Sequence, residues 1–321
     1  MFWIVLNILA AMDASPQAHA PAASARRPVD EVALDRAVGR LMQASQAPWL
    51  HAEVARRMAD RLAIVKARPA VVLDWAARLG GGRAALQAAY ASLGGRPDIR
   101  SVEPRASAEP EAVDAPSWWS PSRWRRTAAA LAPSQVSAGS AQLIWSNMAL
   151  QAEADPSATI AQWHRALAVD GFLMFSTLGP GSLPELRSLY AAHSWGSPMA
   201  PLVDMHDLGD MLVAAGFADP VMDQELVCLN WPTADAALAE LRTLGANVDP
   251  LRCRGLRTPR WKSRFAAALD EVGQRSTGGR ITLTFEIAYG HAFRPPARAR
   301  LAPEARVDLA DFRAMTREPR R

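Results

Sequence analysis

The 321-residue chain is poor in the residues that make metal and disulfide frameworks. It has two cysteines, Cys228 and Cys253, and six histidines. Two thiols exclude a disulfide-stapled fold and a cysteine-rich zinc module. No two histidines have the His-Glu-x-x-His spacing of a helix-borne metal site, so no metal is expected. A reducing, cytoplasmic setting fits this usage. Surplus charge is scarce as well: 36 Lys+Arg stand against 32 Asp+Glu, and the segment from Arg294 to Arg321 accounts for the whole excess with eight arginines and four acids. A neutral body argues against a nucleic-acid binder, which needs a positive face on its folded part. Long apolar runs are missing too. The stretch Phe2 to Met12 is apolar but far short of the ~20 residues that span a bilayer. Ala18-His19-Ala20 has the look of a cleavage site, yet no Lys or Arg precedes Arg26, so the positive region of a secretory signal is lacking. The expectation is an unstructured start, with Met12 as an alternative first residue, and no membrane association.

What is present is apolar: half the residues are hydrophobic, enough for a sizeable core. Residues 1–31 read as a disordered lead rich in Ala, Pro and Ser. Helical periods follow at Val32 to Met42 and at Leu50 to Val65. Ala70-Val71-Val72-Leu73 is a continuous apolar run, as in a strand buried on both faces of a parallel sheet. After it come Gly80-Gly81-Gly82, an Ala-rich helix to Tyr90, and a short strand Ile99 to Val102 that ends at Glu103-Pro104. This strand, glycine loop, helix, strand, acid series opens a nucleotide-binding α/β fold. Further strands are predicted at Gln142 to Trp145, Phe172 to Ser176, Val221 to Asn230 and Ile281 to Tyr289. Helices are predicted at about 157–167, 183–192 and 205–215, with a helical insertion over 233–279 and a mobile basic tail over 294–321. The segment 104–140, with Trp118-Trp119 and Trp124, has no clear period.

Four stretches carry a resemblance: Leu143 to Gln151 (LIWSNMALQ), Phe175 to Arg187 (FSTLGPGSLPELR), Asp204 to Phe217, and Tyr289-Gly290-His291-Ala292. Over residues 32–293 the chain resembles the class I S-adenosylmethionine methyltransferases, and more narrowly the BioC-type malonyl-carrier-protein methyltransferases of biotin synthesis. The resemblance implies a Rossmann-like α/β domain: a seven-stranded, mostly parallel sheet with helices on both faces, a last antiparallel strand and a small helical cap. It implies S-adenosyl-L-methionine as cofactor and methylation of the free carboxylate of a malonyl-carrier thioester.

The same resemblance implies site residues. Asp74, Gly80 and Glu103 would hold the cofactor, Glu103 at the position of the ribose-binding acid, with Ser146 and Asn147 at the end of a strand on the sheet's carboxyl edge. Two positions depart from the family's Asp-x-Gly-x-Gly-x-Gly loop: Ala76 and Arg78 stand where it has glycine. Arg78 either fills the pocket or offers its guanidinium to the cofactor's carboxylate. No acid lies between Ala115 and Ala152, where the family has an adenine-binding Asp. On the acceptor side, Arg187 would grip the malonyl carboxylate through a bidentate fork. That carboxylate is already ionised near neutral pH and needs aim rather than a base.

Blander readings of the same residues stay open. Gly80-Gly81-Gly82 also suits an ordinary turn, Glu103 a turn before Pro104, and Arg187 a solvated helix position paired with Glu185 or Asp210. Residues 251–265 carry Arg252, Arg254, Arg257, Arg260, Lys262 and Arg264 with no acid. Such a patch suits docking of an acidic acyl-carrier protein and also a solvated loop. Two further functions remain: a methyltransferase-like binding module without catalysis, and a methyltransferase for another small acceptor.

Overall fold

A computed structural model describes residues 26–65, 68–104, 130–253, 255, 257–275 and 278–296. The expected lead up to residue 25, the Trp-rich segment 105–129, Arg254 and the tail beyond 296 lie outside the described residues.

Two helices, α1 (Glu31–Met42) and α2 (Trp49–Arg61), precede the sheet. Then come β1 (Val71–Trp75), α3 (Ala77–Gly80), α4 (Arg83–Ser92), β2 (Asp98–Val102), β3 (Ala141–Ser146), α5 (Pro156–Ala166), β4 (Leu167–Leu178), α6 (Pro184–Ala192) and α7 (Met205–Ala214). The chain continues through β5 (Ala218–Trp231), α8 (Ala234–Thr243), α9 (Pro259–Arg275) and β6 (Ile281–Phe293). The strands form one sheet in the order β2-β1-β3-β4-β6-β5. β2, β1, β3 and β4 are parallel, and β6 runs antiparallel to both β4 and β5.

The continuous apolar runs are explained by the period of two. Val72, Leu143 and Phe172 face a layer containing Leu50, Val54 and Met58 of α2, Leu86 of α4 and Phe265 of α9. Their successors Leu73, Ile144 and Leu173 face the opposite layer, with Ile160 and Trp163 of α5 and Leu208 and Leu212 of α7. Helices therefore cover both faces. No helix among the described residues is long and apolar enough to cross a membrane.

Three features differ from the sequence-based expectation. Among the described residues the sheet has six strands, not seven. Outside β2 there is a single parallel bridge, Val102 to Leu131, and pairing stops there because the chain turns at Pro133–Gln135, proline having no N–H to continue a ladder. Second, β4 begins at Leu167, before Asp170-Gly171. Its register jumps from Ala141↔Leu167 to Leu143↔Phe172. Asp170 absorbs the extra length at φ 63°, and a Cβ on Gly171 would lie 2.8 Å from the Ala168 carbonyl oxygen. Third, residues 26–31, assigned above to a disordered lead, are anchored. Arg27 is 8% exposed. Its guanidinium donates to the carbonyls of Gln151, Glu153 and Pro201, and the Asp30 carboxylate caps α1 at Ala33 N–H.

Candidate functional site at the carboxyl edge of the sheet

The ends of β1, β2 and β3 bring Asp74, Glu103, Ser146 and Asn147 to one edge, where parallel α/β sheets bind ligands. After β1 the chain reverses at Ala76, which has φ 56° and donates its N–H to the Val102 carbonyl at 2.7 Å. This is the left-handed region that a glycine takes freely and an alanine adopts at a cost of roughly 1 kcal/mol. The turn thus survives the loss of its glycine. It also aims the Arg78 N–H at Glu103, whose Oε1 accepts it at 3.0 Å. Glu103 is 2% exposed. Burial holds its carboxyl above the usual range, partly offset by the Arg78 N–H. Its second oxygen has no partner among the described residues. Asp74, equally buried, pairs with Arg83 (Nε to Oδ2, 3.4 Å), and Arg83 also donates to Ser101 Oγ at 2.8 Å. Burial still pushes the Asp74 carboxyl up to about 6 against the pull of Arg83.

Gly80 and Asn147 meet each other. A Cβ on Gly80 would fall 2.6 Å from the Asn147 carbonyl oxygen, so packing of protein against protein already demands glycine here. Asn147 Nδ2 donates to the carbonyls of His51 (2.8 Å) and Gly80 (2.6 Å), and its Oδ1 accepts from Ser176 Oγ at 2.8 Å. Both amide hydrogens are committed, which leaves one acceptor lone pair for anything else. Ser146 Oγ, by contrast, is fully buried with no partner.

His51 completes this clasp. Its Nδ1 donates to the Leu79 carbonyl at 2.8 Å, and burial lowers its pKa to about 4, so the ring is neutral. Sequence reasoning treated His51 only as part of a helix. The available signal was a titratable residue beside the apolar stripe of Leu50, Val54 and Met58. Arg27 was missed because nothing local marks an arginine in a Pro/Ala-rich stretch as buried.

Beside the clasp opens a cleft of about 340 Å³. His51, Leu79, Leu178, Leu186, Met199 and Phe265 of α9 line it. Arg187 is not part of that wall. It is half-buried on α6, one residue after Leu186, with Nη2 3.7 Å from the sulfur of Met199. The pairing with Glu185 does not form: residues two apart on a helix do not face each other, and the Glu185 carboxylate accepts from the Thr284 N–H and hydroxyl. Nor does Arg187 pair with Asp210. Its guanidinium has no acid partner among the described residues.

The basic segment is partly neutralised. Arg252 pairs with Asp30 and Lys262 with Asp235, each at 2.8 Å. Arg257 lies over the Trp261 ring at 4.0 Å, and Trp261 stacks on Phe265 with centroids 5.3 Å apart. Arg260 and Arg264 are exposed one turn apart on α9, the helix that also sends Phe265 into the cleft.

No family model matches the chain. Individual relatives do. It is 38% identical over 278 residues to a malonyl-[acyl-carrier protein] O-methyltransferase of Laribacter hongkongensis, covering 83% of this chain and 90% of that one. Proteins of the same name from Gallionella capsiferriformans (34% identical, 84% and 93% covered) and Nitrosospira multiformis (35%, 81% and 88%) match comparably.

Proposed function

The chain belongs to the malonyl-[acyl-carrier protein] O-methyltransferase family, and on that premise we propose that it transfers a methyl group from S-adenosylmethionine to the free carboxylate of a malonyl thioester held on an acyl-carrier protein, a step of biotin synthesis. The observation that carries the reading is the apolar cleft beside the carboxyl edge, with the Arg187 guanidinium, which has no acid partner among the described residues, against its Met199 wall.

The residues present fit the cofactor. Glu103 offers a buried carboxylate with one oxygen free for the ribose hydroxyls, and Ser146 has a buried hydroxyl without a partner. Asp74, through Arg83, and Gly80, through Asn147, keep the loop between them in shape. When bound, S-adenosylmethionine supplies an electrophilic methyl group on sulfur. Arg187 would hold the malonyl carboxylate, already ionised, at the distance and angle an in-line displacement requires, so no general base is needed. Arg260 and Arg264 would meet the acidic carrier on the α9 side of the cleft, raising the rate of encounter. The exposed free cysteines Cys228 and Cys253 support a reducing, cytoplasmic setting.

Calorimetric titration with S-adenosylmethionine, followed by methyl transfer to malonyl-carrier protein, tests the reading. Binding at high-micromolar or tighter, with turnover, is the expected result. No heat at millimolar cofactor would replace the enzyme with a binding module.

A further inference from the structure

We propose that a second cavity, of about 420 Å³, is an anion site that takes the phosphodiester of the carrier's prosthetic arm. The inference rests on the acceptor assigned above.

Three arginines from three separate segments line this cavity: Arg40 of α1, Arg78 of the cofactor loop and Arg242 of α8. All three are exposed, and none has an ion-pair or hydrogen-bond partner for its guanidinium among the described residues. The same wall carries one acid, Glu240, an excess of two positive charges among the lining residues; Glu103 and Asp235, which feel Arg78 and Arg242, stand outside it. Arg40 and Arg242 each lie in the last turn of a helix, where the dipole favours a cation. That accounts for either of them singly. Arg78 has the buried Glu103 carboxylate in electrostatic reach, but neither influence accounts for the three sharing one cavity, where their mutual repulsion is relieved by an anion between them.

The charge also selects the anion. The methionine end of the cofactor carries an ammonium and a sulfonium beside its carboxylate, a net positive ligand that three arginines disfavour. A phosphodiester carries one negative charge, no cation, and the oxygen geometry that guanidinium forks match. Position agrees with charge. The cavity shares Leu41, Leu79 and Arg242 with the apolar cleft, so an arm anchored here by its phosphate enters the cleft with its thioester end. Trp49, 56% exposed, lines the same cavity and offers a flat apolar face to the arm.

The test titrates the full chain with 4′-phosphopantetheine, pantetheine and inorganic phosphate. Phosphopantetheine is expected to bind about tenfold tighter than pantetheine, and inorganic phosphate more weakly than either. In an Arg40→Gln/Arg242→Gln double variant the preference should fall below about twofold, with melting temperature and S-adenosylmethionine affinity unchanged. Equal affinity for the two pantetheines in the parent overturns the proposal. So does inorganic phosphate binding as tightly as phosphopantetheine, or a double variant that loses the cofactor instead. Turnover separates this inference from the reading it rests on. Equal KM for malonyl-pantetheine and malonyl-phosphopantetheine sinks the site and leaves the enzyme. A phosphopantetheine preference without any methylation keeps the site and sinks the enzyme.

Discussion

The carboxyl edge of the sheet and the apolar cleft beside it are built on opposite terms. At the edge, the polar atoms of Asn147, His51 and Ser176 are satisfied by one another and by the Gly80 and Leu79 carbonyls. A few centres, Ser146 Oγ and one oxygen of Glu103, are left over. In and beside the cleft the order is reversed: the walls are mostly apolar, and the guanidinium groups of Arg187, Arg40, Arg78 and Arg242 form no close ion pair among the described residues. The contrast teaches that departures from the family's glycine loop need not collapse the edge, because the clasp holds the loop from behind. Cations left unpaired on the acceptor side are free to meet an anion that arrives from outside.

The comparison breaks hardest at Asn147. Asn147→Ala strands two buried carbonyls and the Ser176 hydroxyl, and is expected to cost about 3 kcal/mol of stability, read by urea unfolding. An unchanged midpoint would mean the clasp is not what holds the edge. On the cleft side, Arg187→Ala should leave stability untouched and lower turnover on malonyl-carrier protein about a hundredfold, ~2.7 kcal/mol. Arg187→Lys should restore only part, since an ammonium cannot make the paired planar contact. Turnover equal to the parent's removes Arg187 from the site. Glu103→Ala should weaken S-adenosylmethionine binding by about 1–3 kcal/mol in calorimetry, while a full-strength titration would return Glu103 to the role of a turn residue.

Asp74 gives a smaller effect of opposite sign. Its carboxyl sits at about 6 in the fold against 3.8 for the free side chain. A raised acid binds its proton more tightly when folded, so its contribution to stability declines as pH rises from about 4 through about 6, and the full penalty is present above that window. Asp74→Asn should therefore stabilise the chain at pH 7 by roughly 1–2 kcal/mol, with the gain vanishing near pH 4. A gain that persists at pH 4, or a loss at pH 7, contradicts this. Smallest in stability terms is Arg260→Glu/Arg264→Glu, expected within about 0.5 kcal/mol of the parent because both groups are exposed. Its signature is kinetic: slower, less salt-sensitive association with the carrier protein. Unchanged association at low salt would move docking away from α9.

The strands were legible because local pattern reports local burial. Val72-Leu73, Leu143-Ile144 and Phe172-Leu173 each put neighbouring residues on opposite faces, and both faces are covered. That is why the runs are apolar without alternation. The place of Glu103 was legible for a similar reason, since it follows directly on the short strand β2. Spacing could not reveal the meeting of Asn147 with His51, 96 positions apart, nor that of Arg27 with Pro201, 174 apart. Asn147 was expected among the cofactor-binding residues, and its amide hydrogens bond the His51 and Gly80 carbonyls.

The sequence by itself thus determined the α/β class, the run of strands up to the carboxyl edge, and the polar residues that stand at the ends of those strands: Asp74, Glu103, Ser146 and Asn147. Only the tertiary structure decided which of these groups are free. Hydrophobic periodicity is a property of neighbours along the chain. Hydrogen-bond satisfaction is a property of neighbours in space, and a buried donor takes whichever acceptor the packing brings within 3 Å. That is how Glu185 came to serve Thr284, while Arg187 has no acid partner among the described residues.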